Sequence, residues 1–530
     1  MLIYFVIAPI LLAVFIYLFP FFQVSKRILI FAQIALLGFS IHLFHISRHA
    51  DVTLPIGNYD GFLGIFLRAD RLAAIFVILT IVIFLSVSLY TIRENNSRLF
   101  WFLLLILEGV LIGLFLSRDI FNIFVLAEVA TVLFAIMLMY DRERRSMYDG
   151  MVYLMVNVVV MQFYLFGVGY LYILTGALDM AYSSQIVATL DPAGLILPYA
   201  LIMTTIAAKC SLLPILTFLP KIHSIPHAPV SVAVILSSLQ VKSGLYLFLR
   251  FRDIFQPIHG TYFFLIVGII TAIFGVVLAL SQVNIKSLLA YSTIAQVGLI
   301  MIGLSLDGTY AYIGSLYHIL SHAVAKAALF LAAGITAYKY RTYNLEKIRG
   351  VLRRYPLLGG IIILAILAMT GAPLFSGNIS KYFMMTEASF PIYPIMLVIN
   401  LGTILVFIKF GAILFGKDSL TPGDEVLRMD FFKRCSLIIL GALCLVGGIW
   451  GTDFIAIFFG YRFNISFAEY LEKVIIFFVS WGIGLLVYKY FVYKSTKLRK
   501  IGRFDLGFRG ICVSIGGFFA ILLIVTGFFT

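Results

Sequence analysis

Tyr312-Ile313-Gly314-Ser315-Leu316-Tyr317-His318-Ile319-Leu320-Ser321-His322-Ala323-Val324-Ala325-Lys326-Ala327-Ala328-Leu329-Phe330 runs on through apolar residues to Tyr338. The stretch exceeds the length of about 20 residues that a helix needs to cross a bilayer. As a helix it aligns His318, His322 and Lys326 on one face, at i, i+4 and i+8. An ionisable group in hydrocarbon costs several kcal/mol unless it meets a wet cavity or a partner of opposite charge, so such groups mark paths for protons or ions.

The pattern extends along the chain. Of its 530 residues, 62% are hydrophobic and only 12% charged, and the mean hydropathy is +1.08, far from soluble globular domains. Apolar stretches recur near Leu2–Phe22, Ile28–Ile46, Leu72–Tyr90, Phe100–Leu116, Ile120–Met139, Met151–Leu174, Leu195–Leu219 and Val230–Leu249. Others follow near Thr261–Leu280, Leu288–Leu304, Tyr312–Tyr338, Leu357–Leu374, Pro394–Phe415, Cys435–Trp450, Val474–Phe491 and Ile511–Phe529. The expectation is an all-α polytopic membrane protein of about 16 spanning helices. The first apolar run is too long for a signal-peptide core and lacks a basic leader, so it is expected to be the first span, with nothing cleaved.

Strung along these segments are charges that cannot be at the lipid surface: Glu108, Glu128, Lys209, Lys242, Lys326, Lys381 and Lys409. The net charge of +15 does not indicate nucleic acid, because the loops after odd-numbered helices hold Lys26, Arg27, Arg142, Arg144, Arg145 and the groups Lys339–Arg354 and Lys489–Arg509, whereas the even loops are poorer in Lys and Arg. The odd loops are expected to face the cytoplasm, which puts both termini outside. The basic linker Lys489–Arg509 also suits anionic lipid. Cys210, Cys435, Cys444 and Cys512 lack the spacing of a metal or iron–sulfur site and suit packing; no cofactor or metal is expected. The polar loops Ser47–Arg71, Lys339–Tyr355 and Gly416–Arg434 are too short for a soluble domain.

Residues 100–250 and 261–415 each contain five spans, preceded by three helices in 1–95 and followed by three in 430–530 with the basic linker. In each unit the fourth span is interrupted, first by Ala208-Lys209-Cys210-Ser211 with Pro214, then Pro220, Pro226 and Pro229. The second interruption runs from Gly371-Ala372-Pro373 through Ser376-Gly377-Asn378-Ile379-Ser380-Lys381. Five is odd, so consecutive units enter the membrane from opposite sides and form two inverted five-helix repeats, each with a broken helix. Lys242 and Lys409 each lie in the span after the break. Irregular backbone at membrane depth is tolerated where protein or a water-filled cavity satisfies it, so each break marks a half-channel.

Glu128 and Lys209 form an adjustable pair: burial favours the neutral form of each, and mutual contact favours the charged forms. When the pair opens, the lysine proton moves toward Lys242 or Lys326. The competing role is a static salt bridge that fixes helix packing. For His318 and His322 the competing role is a hydrogen-bonding link between helices; a metal site lacks a third ligand. Glu108 is either a lateral coupling carboxylate or a snorkelling one near a membrane edge. Lys409 falls mid-span by these boundaries, and Lys286 is expected at an interface, capping its helix.

Ser117-Arg118-Asp119-Ile120-Phe121-Asn122-Ile123-Phe124-Val125-Leu126-Ala127-Glu128 resembles the fifth-helix motif of the antiporter-like subunit family shared by Mrp-type Na+/H+ antiporters, respiratory complex I and membrane-bound hydrogenases. The wording is nearest that of the Mrp D subunit. Four further stretches agree in order: Lys209 through Pro220 to Lys242-Ser243-Gly244-Leu245-Tyr246; Asn284 to Thr293; His318 through His322 to Lys326-Ala327-Ala328-Leu329-Phe330; and Gly371-Ala372-Pro373 to Lys381. The resemblance covers residues 100–415 and implies a proton- or sodium-translocating subunit. In it Glu128 and Lys209 are the coupling pair, Lys242 and Lys326 relays, and Lys381 the terminal residue near the exit. It departs from the family pattern at Ile215, Lys221, Asn284 and Asn378, which touch the local proton-entry path, and in two additional C-terminal spans suited to docking or bracing a neighbouring subunit.

Such a subunit works with other membrane subunits, driven by a docked redox module or by a counter-ion gradient. Two other functions fit the composition: an energising subunit for inorganic-carbon uptake, and a purely structural membrane subunit whose charges lock helices together. Sodium would need oxygen ligands, for which Glu108, Glu128 and Asp119 are candidates.

Overall fold

The computed structural model describes residues 1–19, 22–57, 64–215, 218–223, 225, 228–258, 261–419, 429–463, 465–493, 495–502 and 506–529. Pro226 and parts of two of the polar loops, 58–63 and 420–428, and of the basic linker, 494 and 503–505, lie outside the described residues. The helices begin with α1 (Leu2–Leu18), α2 (Phe22–Ser47), α3 (Arg71–Thr91), α4 (Arg98–Leu116), α5 (Ile120–Leu138), α6 (Arg144–Thr175), α7 (Met180–Val187) and α8 (Pro192–Lys209). They continue as α9 (Phe218–His223), α10 (Val230–Ile235), α11 (Val241–Ile254), α12 (Thr261–Ser281), α13 (Ile285–Leu304), α14 (Thr309–Tyr340), α15 (Val351–Arg354) and α16 (Pro356–Thr370). The set ends with α17 (Ser376–Thr386), α18 (Ile392–Gly411), α19 (Phe431–Ile449), α20 (Gly451–Phe459), α21 (Phe467–Val487), α22 (Thr496–Ile501) and α23 (Phe508–Phe529).

Among the described residues, 14 helices are long and apolar enough to span a membrane, and Leu2–Leu18 and Pro356–Thr370 are shorter apolar helices. The protein is a mostly helical, multi-pass membrane protein. One addition to an all-α architecture is a hairpin of β1 (Val52–Ile56) and β2 (Ile65–Ala69), paired antiparallel from Val52 with Ala69 to Ile56 with Ile65. The loop's short alternation of apolar and polar residues is a strand pattern that its polar surroundings mask.

Helix starts follow local chemistry. Asp70 caps α3 by accepting from Ala73 N at 2.8 Å, Asp119 caps α5 through Asn122 N, and Asn284 caps α13 through Lys286 N at 2.8 Å and Ser287 N at 3.3 Å. Each supplies an acceptor to N–H groups that have no partner within the helix.

Both interruptions inferred from sequence are present as helix ends. α8 stops at Lys209 and the next helix begins at Phe218; α16 stops at Thr370 and α17 begins at Ser376. Elsewhere in the two segments the backbone also matches. Ile120 N donates to Leu178 O at 2.8 Å and Met180 N to Arg118 O at 3.0 Å; Ile285 N donates to Tyr343 O and Leu345 N to Val283 O, both at 2.9 Å. The same pair of bridging bonds thus recurs at the foot of α5 and at the foot of α13.

Small residues let neighbouring backbones touch. A Cβ on Gly298 of α13 would lie 2.5 Å from Ala272 N of α12, and one on Gly275 would lie 2.6 Å from Ala295 N, so this pair closes on glycine and alanine. The C-terminal helices cross the bundle: α21 packs on α18, α22 on α12, and α23 on α8 and α6.

Candidate functional site: a buried polar axis

Lys209 ends α8 with its ammonium inside the bundle, where Nζ donates to Thr131 Oγ1 at 3.2 Å and Asn157 Oδ1 at 3.1 Å. Glu128 lies three residues before Thr131 on α5 and is half-buried, with Oε1 enclosed and without a hydrogen-bond partner among the described residues. Lys209 is the charge that acts on it, yet among the described residues no ion pair joins the two. The expected pair is therefore open here, and Lys209 is held by neutral acceptors instead.

Lys242 is fully buried and its Nζ donates to Ser237 O at 2.6 Å. Ser237 belongs to a π-helical turn, Leu236–Gln240, joining α10 to α11. A π turn of this kind breaks the regular helical ladder and is frequent at functional sites; nothing in the hydrophobic pattern of Val230–Leu249 announces it.

On α14, the rings of His318 and His322 lie 6.1 Å apart, and Lys326 Nζ donates to Leu289 O at 2.9 Å and to Ser292 Oγ at 2.5 Å. The hydrogen bonds around His318 define its tautomer. Thr403 Oγ1 donates to Ile399 O at 3.1 Å, so it accepts from Gln296 Nε2 at 2.9 Å. Gln296 then turns its oxygen to His318 Nε2 at 3.0 Å, which must carry the hydrogen. His318 Nδ1 accepts from Ser380 Oγ at 2.8 Å, and that hydroxyl has a second acceptor, Gly377 O, at 3.2 Å. A proton arriving at Nδ1 has only to turn the Ser380 hydroxyl toward Gly377. Both ring nitrogens of His322 are buried without a partner among the described residues.

Lys381, one residue beyond Ser380, donates to Met369 O at 2.8 Å and Asn400 Oδ1 at 2.7 Å. A cavity of 40 Å³ bordered by Gly371, Asn378, Lys381 and Asn400 adjoins it, room for a water molecule. Asn378 donates to Gly371 O at 3.1 Å and fastens the break between α16 and α17.

Three further charged residues have defined surroundings, and one of them, Lys409, stands elsewhere than expected. Glu108 sits mid-way along α4, fully buried and accepting from Gln33 Nε2 at 2.5 Å, which fits the enclosed carboxylate of the two expected roles better than the snorkelling one. Lys409 is in the last turn of α18, not mid-span, since that helix ends at Gly411; its Nζ donates to Leu280 O and Gln282 O, both at 2.6 Å, closing the end of α12. Lys286, the second residue of α13, is buried within the protein, and Asn284 does the capping in its place; Lys286 Nζ donates to Ile225 O at 3.2 Å and lies 4.6 Å from the Tyr343 ring centroid.

Sequence reasoning passed over His223 and the group Asp70, Tyr246 and Arg250. His223 is buried on α9, its ring 4.9 Å from that of Phe330 and both nitrogens unpartnered among the described residues. Lys242, Lys286 and Lys326 are the cations acting on it. A histidine just after a proline-rich break was its only signal. Lys242, Tyr246 and Arg250 follow at i, i+4 and i+8 on α11. Arg250 Nη2 donates to Tyr246 Oη at 2.9 Å, and its two nitrogens hold Asp70 at 2.6 and 2.7 Å. Tyr246 donates to Phe115 O at 2.6 Å. These side chains border a cavity of 470 Å³ with Arg68, Ser117, Arg118 and Asp253. Burial pushes the Asp70 carboxyl up, but the Arg250 guanidinium and the Ala73 amide together hold it below the usual carboxylate range.

The fold and this axis define a multi-pass membrane protein built around buried lysines and histidines. The chain belongs to the NADH:quinone oxidoreductase/Mrp antiporter transmembrane family, whose pattern matches residues 117–408. It is 30% identical to the D component of the Na(+)/H(+) antiporter of Alkalihalophilus pseudofirmus over 76% of this chain and 84% of that protein. It is 32% identical to the N component of the NADH-quinone oxidoreductase of Desulforudis audaxviator over 64% of this chain and 70% of that protein. The fold resembles a chain of the Mrp complex from Dietzia sp., with a TM-score of 0.80 at 20% identity, over 90% of this chain and 99% of that one.

Proposed function

We propose that this protein is a proton-translocating membrane subunit of a larger complex, moving protons along Lys209, Lys242, His322, Lys326, His318 and Lys381, with Glu128 modulating the Lys209 end. One observation carries the proposal: Lys209, Lys242, Lys326 and Lys381 are all buried, and each is held by hydroxyl, amide or carbonyl oxygens, with no carboxylate at ion-pair distance among the described residues. Ammonium groups meant to lock helices would be expected to face carboxylates. Neutral acceptors hold a lysine in either protonation state, which a relay requires.

The bridging hydrogen bonds repeated at the feet of α5 and α13, and the two matching breaks, support two inverted five-helix repeats over 100–250 and 261–415. The basic loops support cytoplasmic placement of the Lys339–Arg354 side and an outer position for both termini. Protons rather than sodium are favoured because the axis is lined by bases. Glu108 is engaged by Gln33 and Asp119 by the amides of α5, and no group of three His, Cys, Asp or Glu suited to a metal ion occurs among the described residues. The names of relatives support partners among the membrane subunits of an Mrp, complex I or hydrogenase type assembly, driven by a redox module or a counter-ion gradient.

The test is coupled transport by the reconstituted parent complex carrying Lys209→Ala or Glu128→Gln, followed with proton- and sodium-sensitive dyes. Collapse of the proton signal in an assembled complex supports the relay. Transport at the wild-type rate would leave the structural-subunit function standing in its place.

A further inference from the structure

The end of α12 meets the last turn of α18, the segment after Tyr340, the π-helical turn Tyr488–Val492 and α22 around a cavity of 280 Å³. Arg349, Lys409 and Arg499 converge on it against a single carboxylate, Glu346, with Tyr488 and Tyr493 on its wall. Helix ends and tyrosine rings place the cavity at the level where hydrocarbon gives way to headgroups.

The cations are incompletely used. Arg499 Nη2 donates to Glu346 Oε1 at 2.5 Å. Arg349 spends Nη1 on Leu345 O at 2.8 Å and Ile348 O at 2.7 Å. The remaining guanidinium nitrogens of both arginines have no partner among the described residues, whereas Lys409 is occupied by Leu280 O and Gln282 O. Two planar forks with free N–H groups on one cavity suit the oxygens of a phosphate. Beside the cavity, α21 exposes Leu485 and Leu486, an apolar surface on which acyl chains can lie.

We propose that this cavity binds the phosphodiester headgroup of an anionic phospholipid, with Arg349 and Arg499 as its ligands and Glu346 as the internal competitor for Arg499. The lipid then joins α22 to the ends of α12 and α18, where the C-terminal helices cross the bundle. The site is independent of the proton axis.

The test is native mass spectrometry of the full chain in detergent, titrated with phosphatidylglycerol, phosphatidylcholine or inorganic phosphate. Phosphatidylglycerol should be retained in preference to phosphatidylcholine. Arg499→Gln should weaken that retention about tenfold, the loss of one charge-assisted hydrogen-bonded pair, and Glu346→Gln should strengthen it by removing the competitor. Thermal melts of both variants report folding, and the gain by Glu346→Gln keeps the proposal testable where Arg499→Gln fails to fold. Equal retention of both lipids, retention unchanged by Glu346→Gln, or displacement of phosphatidylglycerol by inorganic phosphate at matched concentration overturns the lipid site.

Discussion

The segment from α4 to α11 and the segment from α12 to α18 use similar backbone connections to hold opposite charge chemistry. At the foot of α5 stand Asp119 and Asp179, the latter paired with Arg118 at 2.6 Å; at the foot of α13 the bridge joins Asn284 and Asn344. Arg250 in the last turns of α11 grips the carboxylate of Asp70, whereas Lys409 in the last turn of α18 grips backbone carbonyls. Lys209 has Glu128 acting on it, while Lys381 is held by Met369 O and Asn400. At these matched places the first segment sets an acid beside or near a cation and the second sets neutral oxygens, while the buried lysines of the first segment, Lys209 and Lys242, are themselves held by neutral oxygens. In the proposed relay, the first segment responds to a nearby charge and the second passes the proton onward.

The largest effect expected from breaking this contrast is on stability. Asp70→Asn leaves Arg250 without its carboxylate in a largely enclosed site, and removing one partner of such a pair costs about 3–5 kcal/mol. A thermal melt of the detergent-solubilised protein at pH 7 checks it. The pair also sets a pH dependence: the Asp70 carboxyl lies below its unfolded value, so its contribution is complete above about pH 4 and is lost as pH falls through the folded value. The wild type should lose stability over that acid range more steeply than Asp70→Asn.

Next in size is transport. Lys381→Ala should reduce coupled proton flux about 100-fold, the scale of a lost proton-transfer group, in a complex that still assembles. Glu128→Gln should reduce it less, because Lys209 keeps Thr131 and Asn157. Equal losses from the two variants would erase the distinction between a modulated lysine and an unmodulated one.

Lys409→Met should cost about 1–3 kcal/mol of stability by leaving the Leu280 and Gln282 carbonyls without their donor, while flux per assembled complex stays at the wild-type level. Loss of flux without loss of stability would move Lys409 from helix closure into the relay. The smallest effect belongs to Asp119→Asn, which gives α5 the cap that α13 already has. Asparagine and aspartate cap equally well, so the melting temperature should shift by the equivalent of about 0.5 kcal/mol or less.

Much of this molecule is legible in a linear reading because its signals are local. Bilayer thickness sets the length of each apolar run, and the cost of a buried charge makes Lys209, Lys242, Lys326 and Lys381 conspicuous wherever they lie along it. Proline and glycine next to Lys209 and Lys381 mark the two helix breaks. The linear reading failed where an edge decided the answer: Lys409 shifts from mid-span to a helix end by the difference between Phe415 and Gly411.

The amino-acid sequence by itself determined the membrane class, the approximate spans and the set of titratable groups, since each depends on composition within one helix. Only the tertiary structure decided which oxygens hold each lysine, the tautomer of His318, the enclosure of His223 against Phe330 and the grip of Arg250 on Asp70. Those contacts join residues from 5 positions apart, in the case of Lys242 and Ser237, to 180 apart, in the case of Arg250 and Asp70. Their geometry comes from helices closing on small residues and on one another, which no periodicity within a single helix records.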